Sequence, residues 1–69
     1  METFELKGKD FIELNKLMKL LNMVGSGGEA KFMISQGEVD VNGKAATEVR
    51  KKLRAGDQIV FNGAEIQIQ

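Results

Sequence analysis

The chain has 69 residues, ten Lys plus Arg against ten Asp plus Glu, and no His, Cys, Pro, Trp or Tyr. One domain with one modest core is expected at this length, burying about 60% of the surface that the unfolded chain exposes, and the composition supplies no disulfide, zinc–thiolate site, thiol nucleophile or histidine base. Zero net charge gives no global sign of a polyanion or a membrane, so any such sign must lie in how the charge is distributed.

The opening METFELKGKD interleaves acids, bases and apolar residues, unlike a signal peptide. No apolar run approaches the roughly 18 residues of a membrane span, and a cytoplasmic location is expected. Thr3–Lys7 alternates, with Phe4 and Leu6 on one face, which predicts a strand that Gly8 breaks. Asp10 is placed to cap a helix over Phe11–Val24, whose Leu14, Leu17, Met18 and Leu21 form an apolar stripe while Glu13, Asn15, Lys16 and Lys19 face water. Gly25 is expected to end it. Ser26-Gly27-Gly28-Glu29 then reads as a capping box, with Ser26 as N-cap and Glu29 as its reciprocal partner. A short second helix follows with Ala30, Met33 and Ile34 on its apolar face, and Gly37 sits where a left-handed C-terminal cap belongs. Val39 and Val41 alternate with polar residues into Asn42-Gly43, a strong hairpin signal. Lys44–Arg54 is polar and irregular. Ala55-Gly56-Asp57 turns into a strand over Gln58–Phe61, Asn62-Gly63 turns again, and Ile66 and Ile68 alternate in a last strand. The order β-α-α-β-β-β predicts an α+β domain spanning 1–69, two short helices packed on a small curled, mostly antiparallel sheet.

Charge is uneven along this order: the balance is −1 over residues 1–30, +3 over 31–54 and −2 over 55–69. Lys44, Arg50, Lys51, Lys52 and Arg54 face Glu48 alone within the basic stretch, a pattern suited to a polyanion because each neutralised phosphate releases a counterion. The bland alternative is a solvated loop. The Ser26-Gly27-Gly28 helix start leaves amides free, and two glycines permit close approach of a ligand, with Lys31 a turn further on; the bland alternative is an ordinary tight turn. Gly25–Ala30 formally matches G-x-G-x-x-A, but it follows a helix instead of a strand, so the dinucleotide reading fails. Glu38 and Asp40 share a strand face without a third ligand, and no metal or other cofactor is expected. Met18, Met23 and Met33 read as core filler. Phe32 lies off the apolar stripe; it reads as a partly buried flank, with a stacking platform as the alternative.

Ser26-Gly27-Gly28-Glu29-Ala30-Lys31, Ile34, Gly37, Val39, Val41-Asn42-Gly43, Arg50-Lys51-Lys52-Leu53, Gly56-Asp57 and Ile59, in this order and spacing, resemble the RNA-binding domain named after ribosomal protein S-four. This is the αL motif, and the likeness is to its small stand-alone bacterial members over about residues 11–61. The resemblance implies a non-catalytic module that meets structured RNA, possibly ribosomal or transfer RNA, through the second helix and the hairpin side. Carried over by position, that assigns Ser26, Gly27, Gly28 and Lys31 at the helix start and Arg50, Lys51 and Lys52 in the basic stretch, while Asn42 and Gly43 match as a structural turn. Lys44 and Arg54 join the site through the charge run. Many family members carry Arg directly after the helix-start Ser, where this chain has Gly27, and many are strongly basic; both departures lower the expected affinity. A monomer is expected. Two other readings remain open: a protein-interaction module of the same fold, and a β-grasp carrier, which the ending Ile66-Gln67-Ile68-Gln69 disfavours because it lacks the Gly-Gly such carriers activate.

Overall fold

The computed structural model describes residues 2–69. Its elements in chain order are β1 (Glu2–Phe4), β2 (Ile12–Glu13), α1 (Leu14–Leu20), α2 (Gly27–Ser35), β3 (Val39–Val41), β4 (Lys44–Ala45), β5 (Lys52–Leu53), β6 (Gln58–Phe61) and β7 (Ala64–Ile68). Five strands form one sheet in the order β1-β7-β6-β3-β4, and β2 pairs with β5 in a second, two-stranded ladder. Every pairing is antiparallel except β1 with β7, which run parallel. The two helices and the mostly antiparallel sheet are the α+β architecture that the sequence predicts.

The alternation within β3, β6 and β7 sends Val39, Val41, Ile59, Phe61, Ile66 and Ile68 to one face, where they join Leu14, Leu17 and Met18 of α1 and Ala30 and Ile34 of α2 in one core. No polar side chain is buried among the described residues. The opposite sheet face carries Asp40, Gln58, Glu65 and Gln67, the polar-out half of a one-sided sheet. Both Asn-Gly pairs make two-residue hairpin turns with positive φ at each position: 53° and 85° at Asn42-Gly43, 52° and 82° at Asn62-Gly63. That is the type I′ geometry whose twist matches the strands it joins.

The first half departs from expectation in three places. β1 covers only Glu2–Phe4, because Lys7 and Gly8 turn the chain at φ 54° and 88°, although Leu6 is still buried and its N–H donates to Gln69 O at 2.8 Å. α1 begins at Leu14 and not at Phe11, and Asp10 caps nothing: Ile12 and Glu13 stay extended to pair with Leu53 and Lys52. Asn22, not Gly25, ends α1 in the left-handed region at φ 57°, with Asn22 N–H donating to Lys19 O and Met23 N–H to Met18 O, a Schellman closure that Asn tolerates. α2 closes the same way on Gly37, whose N–H reaches Ile34 O while Glu38 N–H reaches Met33 O, both at 3.1 Å. Asn15 is half-buried, not on the solvent face. Phe32 is 57% exposed instead of a partly buried flank, because it lies opposite the Ala30–Ile34 side of α2.

Candidate nucleic-acid interface

The basic stretch is held to α1 by its own backbone. Leu14 N–H donates to Lys51 O at 2.9 Å and Asn15 N–H to Val49 O at 3.1 Å, so two amides that a helix start leaves open are closed by carbonyls from a segment some 35 residues downstream. Together with the β2–β5 ladder this fixes Arg50, Lys51 and Lys52 beside the first turn of α1. The stretch is therefore not wholly irregular: Lys44 stands in β4, placed there by the Asn42-Gly43 turn, and Lys52 in β5.

Within the stretch the bases divide into two clusters. Lys44 and Lys51 line a shallow depression of about 400 Å³ with Asn42, Thr47 and Glu48. Lys52 Nζ lies 4.9 Å and Arg54 Cζ 5.7 Å from the centre of the Phe11 ring, within the range of cation–π attraction. Arg54 also donates from Nη1 to Asp10 O at 3.5 Å. Arg50 is exposed and joins neither cluster. The single ion pair among the described residues is Lys16–Glu13 at 3.9 Å, which leaves Lys31, Lys44, Arg50, Lys51, Lys52 and Arg54 without a carboxylate partner.

The start of α2 is a second patch. Ser26 Oγ accepts from Glu29 N–H at 3.2 Å, as a capping box requires, but Glu29 Oε1 accepts from Gly25 N–H at 2.6 Å instead of returning to Ser26. The carboxylate thus hooks the loop one residue further back and lays a negative charge against the helix N-terminus. Neither Gly27 nor Gly28 has a positive φ; a β-carbon would meet open space at Gly27 and only Ser26 Oγ, at 3.9 Å, at Gly28, so the turn itself does not demand glycine there. Lys31 is exposed one turn along. No hydrogen bond or ion pair among the described residues joins this patch to the basic stretch; they are linked through the packing of α1 on α2.

Two short motifs, far apart in sequence, close on each other below the basic stretch. Asn42 Nδ2 donates to Asp57 Oδ1 at 3.0 Å, Asn42 Oδ1 accepts from Gln58 N–H at 2.9 Å, and Asp57 Oδ2 accepts from Arg54 N–H at 2.8 Å. The Val41-Asn42-Gly43 turn and the Gly56-Asp57 turn are therefore one hydrogen-bonded unit that fixes the backbone at Arg54. Phe11 is the residue that sequence reasoning missed. The apolar pattern predicts a helix there, and the ring's role as a platform for Lys52 and Arg54 depends on the pairing of Ile12 with Leu53, for which no local signal exists.

Comparison with known proteins gives a consistent set of likenesses. The S4 domain family model matches residues 4–69. YbcJ of Escherichia coli (strain K12) is 38% identical over 68 residues, covering 99% of this chain and 97% of that protein. Its solution structure, described as revealing an αL motif involved in RNA binding, superposes with a TM-score of 0.73 over 99% of this chain and 86% of that one. Ribosomal large subunit pseudouridine synthase B of Bacillus subtilis (strain 168) is 36% identical over 56 aligned positions, with 78% of this chain and 23% of the enzyme covered.

Proposed function

The chain belongs to the S4 domain family, and from that premise we propose that it is an RNA-binding module that holds structured RNA and performs no chemistry on it. Full-length similarity to an αL-motif protein involved in RNA binding is the observation that carries this reading. The geometry adds a reason: bases without acidic partners stand on a backbone that β2, β5 and α1 hold rigid, so little side-chain-bearing chain has to be ordered on binding. Phosphate and 2′-hydroxyl contacts from such a surface read the shape of a folded RNA more than its sequence.

In this proposal Lys44, Arg50, Lys51, Lys52 and Arg54 supply the main charge. Ser26, Gly27, Gly28 and Lys31 form a second contact, attenuated by the Glu29 carboxylate. The module works as a monomer in the cytoplasm; among the described residues no helix is long and apolar enough to cross a membrane.

The test is an NMR titration with a structured RNA hairpin. Amide shifts concentrated at residues 26–31 and 42–54 are expected. A titration that shifts nothing would overturn the RNA reading in favour of a protein-interaction module of the same fold.

A further inference from the structure

On the N-terminal side of the molecule a groove of about 750 Å³ runs between the β1–β2 connection and α1. Lys7, Lys9 and Lys16 line it, and its apolar surface includes Phe4, Phe11 and Leu20. Leu20 is 64% exposed, the most exposed large apolar side chain among the described residues. Phe11 is the same ring that Lys52 and Arg54 cover, and Arg54 bonds the carbonyl of Asp10, next to Lys9. The basic stretch and the groove are therefore continuous at Phe11. Five bases from three chain segments surround this path against Glu5, Asp10 and Glu13, and Glu13 is already engaged by Lys16.

We propose that this groove receives a single-stranded segment of RNA flanking the structured part held by the basic stretch. The inference rests on the RNA reading above and extends it to a separate surface. Two features choose the occupant. The excess of bases, with Lys7 and Lys9 making no ion pair among the described residues, suits a phosphate backbone. The apolar surface between them suits base faces, which a single strand presents and a duplex keeps stacked inside.

The experiment compares a blunt RNA hairpin, the same hairpin with a tail of about six uridines, and free oligouridine of that length. Proteins are the unaltered chain, the Lys7→Ala/Lys9→Ala variant and Leu20→Ser, which removes apolar contact without changing charge at a position exposed enough to tolerate it. The tail is expected to tighten hairpin binding about fivefold, and free oligouridine to shift the amides of Lys7, Lys9, Phe11 and Leu20. Lys7→Ala/Lys9→Ala should abolish the gain from the tail, Leu20→Ser should reduce it about threefold, and binding of the blunt hairpin should stay within about twofold in both. The proposal is overturned if the tail adds nothing, if its effect survives both variants, or if oligouridine leaves the groove signals unmoved while the hairpin binds. Groove shifts with oligouridine but no hairpin binding would instead uphold the groove and remove the structured-RNA reading.

Discussion

Asn42 is the residue on which the hairpin side depends most. It adopts φ 53° while its amide bridges Asp57 and the Gln58 N–H, so one side chain serves both the turn and the link between two distant turns. Substituting Ala removes both hydrogen bonds and keeps a β-carbon in a left-handed backbone that Ala tolerates less well than Asn, whereas Gly removes the bonds and also relieves that strain. Urea unfolding should show a loss of about 2 kcal/mol for Asn42→Ala and about 1 kcal/mol for Asn42→Gly. Equal losses would mean that the left-handed backbone at this position carries no energetic weight. The turn is legible in the sequence because Asn-Gly favours positive φ locally. The bond to Asp57 spans fifteen positions and has no signature in either tetrapeptide alone.

At the scale of the element, the start of α2 combines opposing charges. Its free Gly27 and Gly28 amides and nearby Lys31 favour an anion, but the Glu29 carboxylate stands in the same place, held by Gly25 N–H. Glu29→Gln keeps an oxygen that can accept this hydrogen bond and removes the charge. RNA affinity should rise about two- to fivefold at low salt, with the difference shrinking as salt is added, while unfolding should show a stability loss of no more than about 1 kcal/mol from the weakened dipole interaction. An unchanged affinity would place the RNA away from the α2 start and restrict the interface to the basic stretch. The Ser26 cap is readable from the sequence, but the reciprocal bond expected of Glu29 is not made to Ser26. The reach of Glu29 to Gly25 is not readable, because it depends on how the α1–α2 loop turns.

For the whole molecule, the equal numbers of acids and bases conceal a surface on which the bases of residues 44–54 have no acidic partner among the described residues. If three or four phosphates are engaged, log K against log salt should fall with a slope of roughly −2 to −4. Arg50→Ala with Lys51→Ala should weaken binding to unrelated structured RNAs alike and flatten that slope by about 1 to 2. Salt-independent binding that survives the double substitution would remove the basic stretch from the interface. Acids outside the patch, such as Glu38 and Glu65, leave no long-range positive field, so association should be slower than for a strongly basic relative.

The sequence by itself determined what depends on neighbours within a few positions: both Asn-Gly turns, the Ser26 cap, the Gly37 closure and the alternation of β3, β6 and β7. It also determined the family, because the order and spacing of those local signals are unusual in combination. Tertiary structure alone decided where α1 begins, since Ile12 and Glu13 stay extended only by pairing with Leu53 and Lys52. It likewise decided that Phe11 meets Lys52 and Arg54, and that Lys7 and Lys9 share a groove with that ring. In the first two cases a partner some forty residues away leaves no periodicity in the chain, and its pairing overrides the local helical pattern at Phe11 and Ile12; in the third, the turn at Lys7 and Gly8 brings the β1–β2 connection against α1.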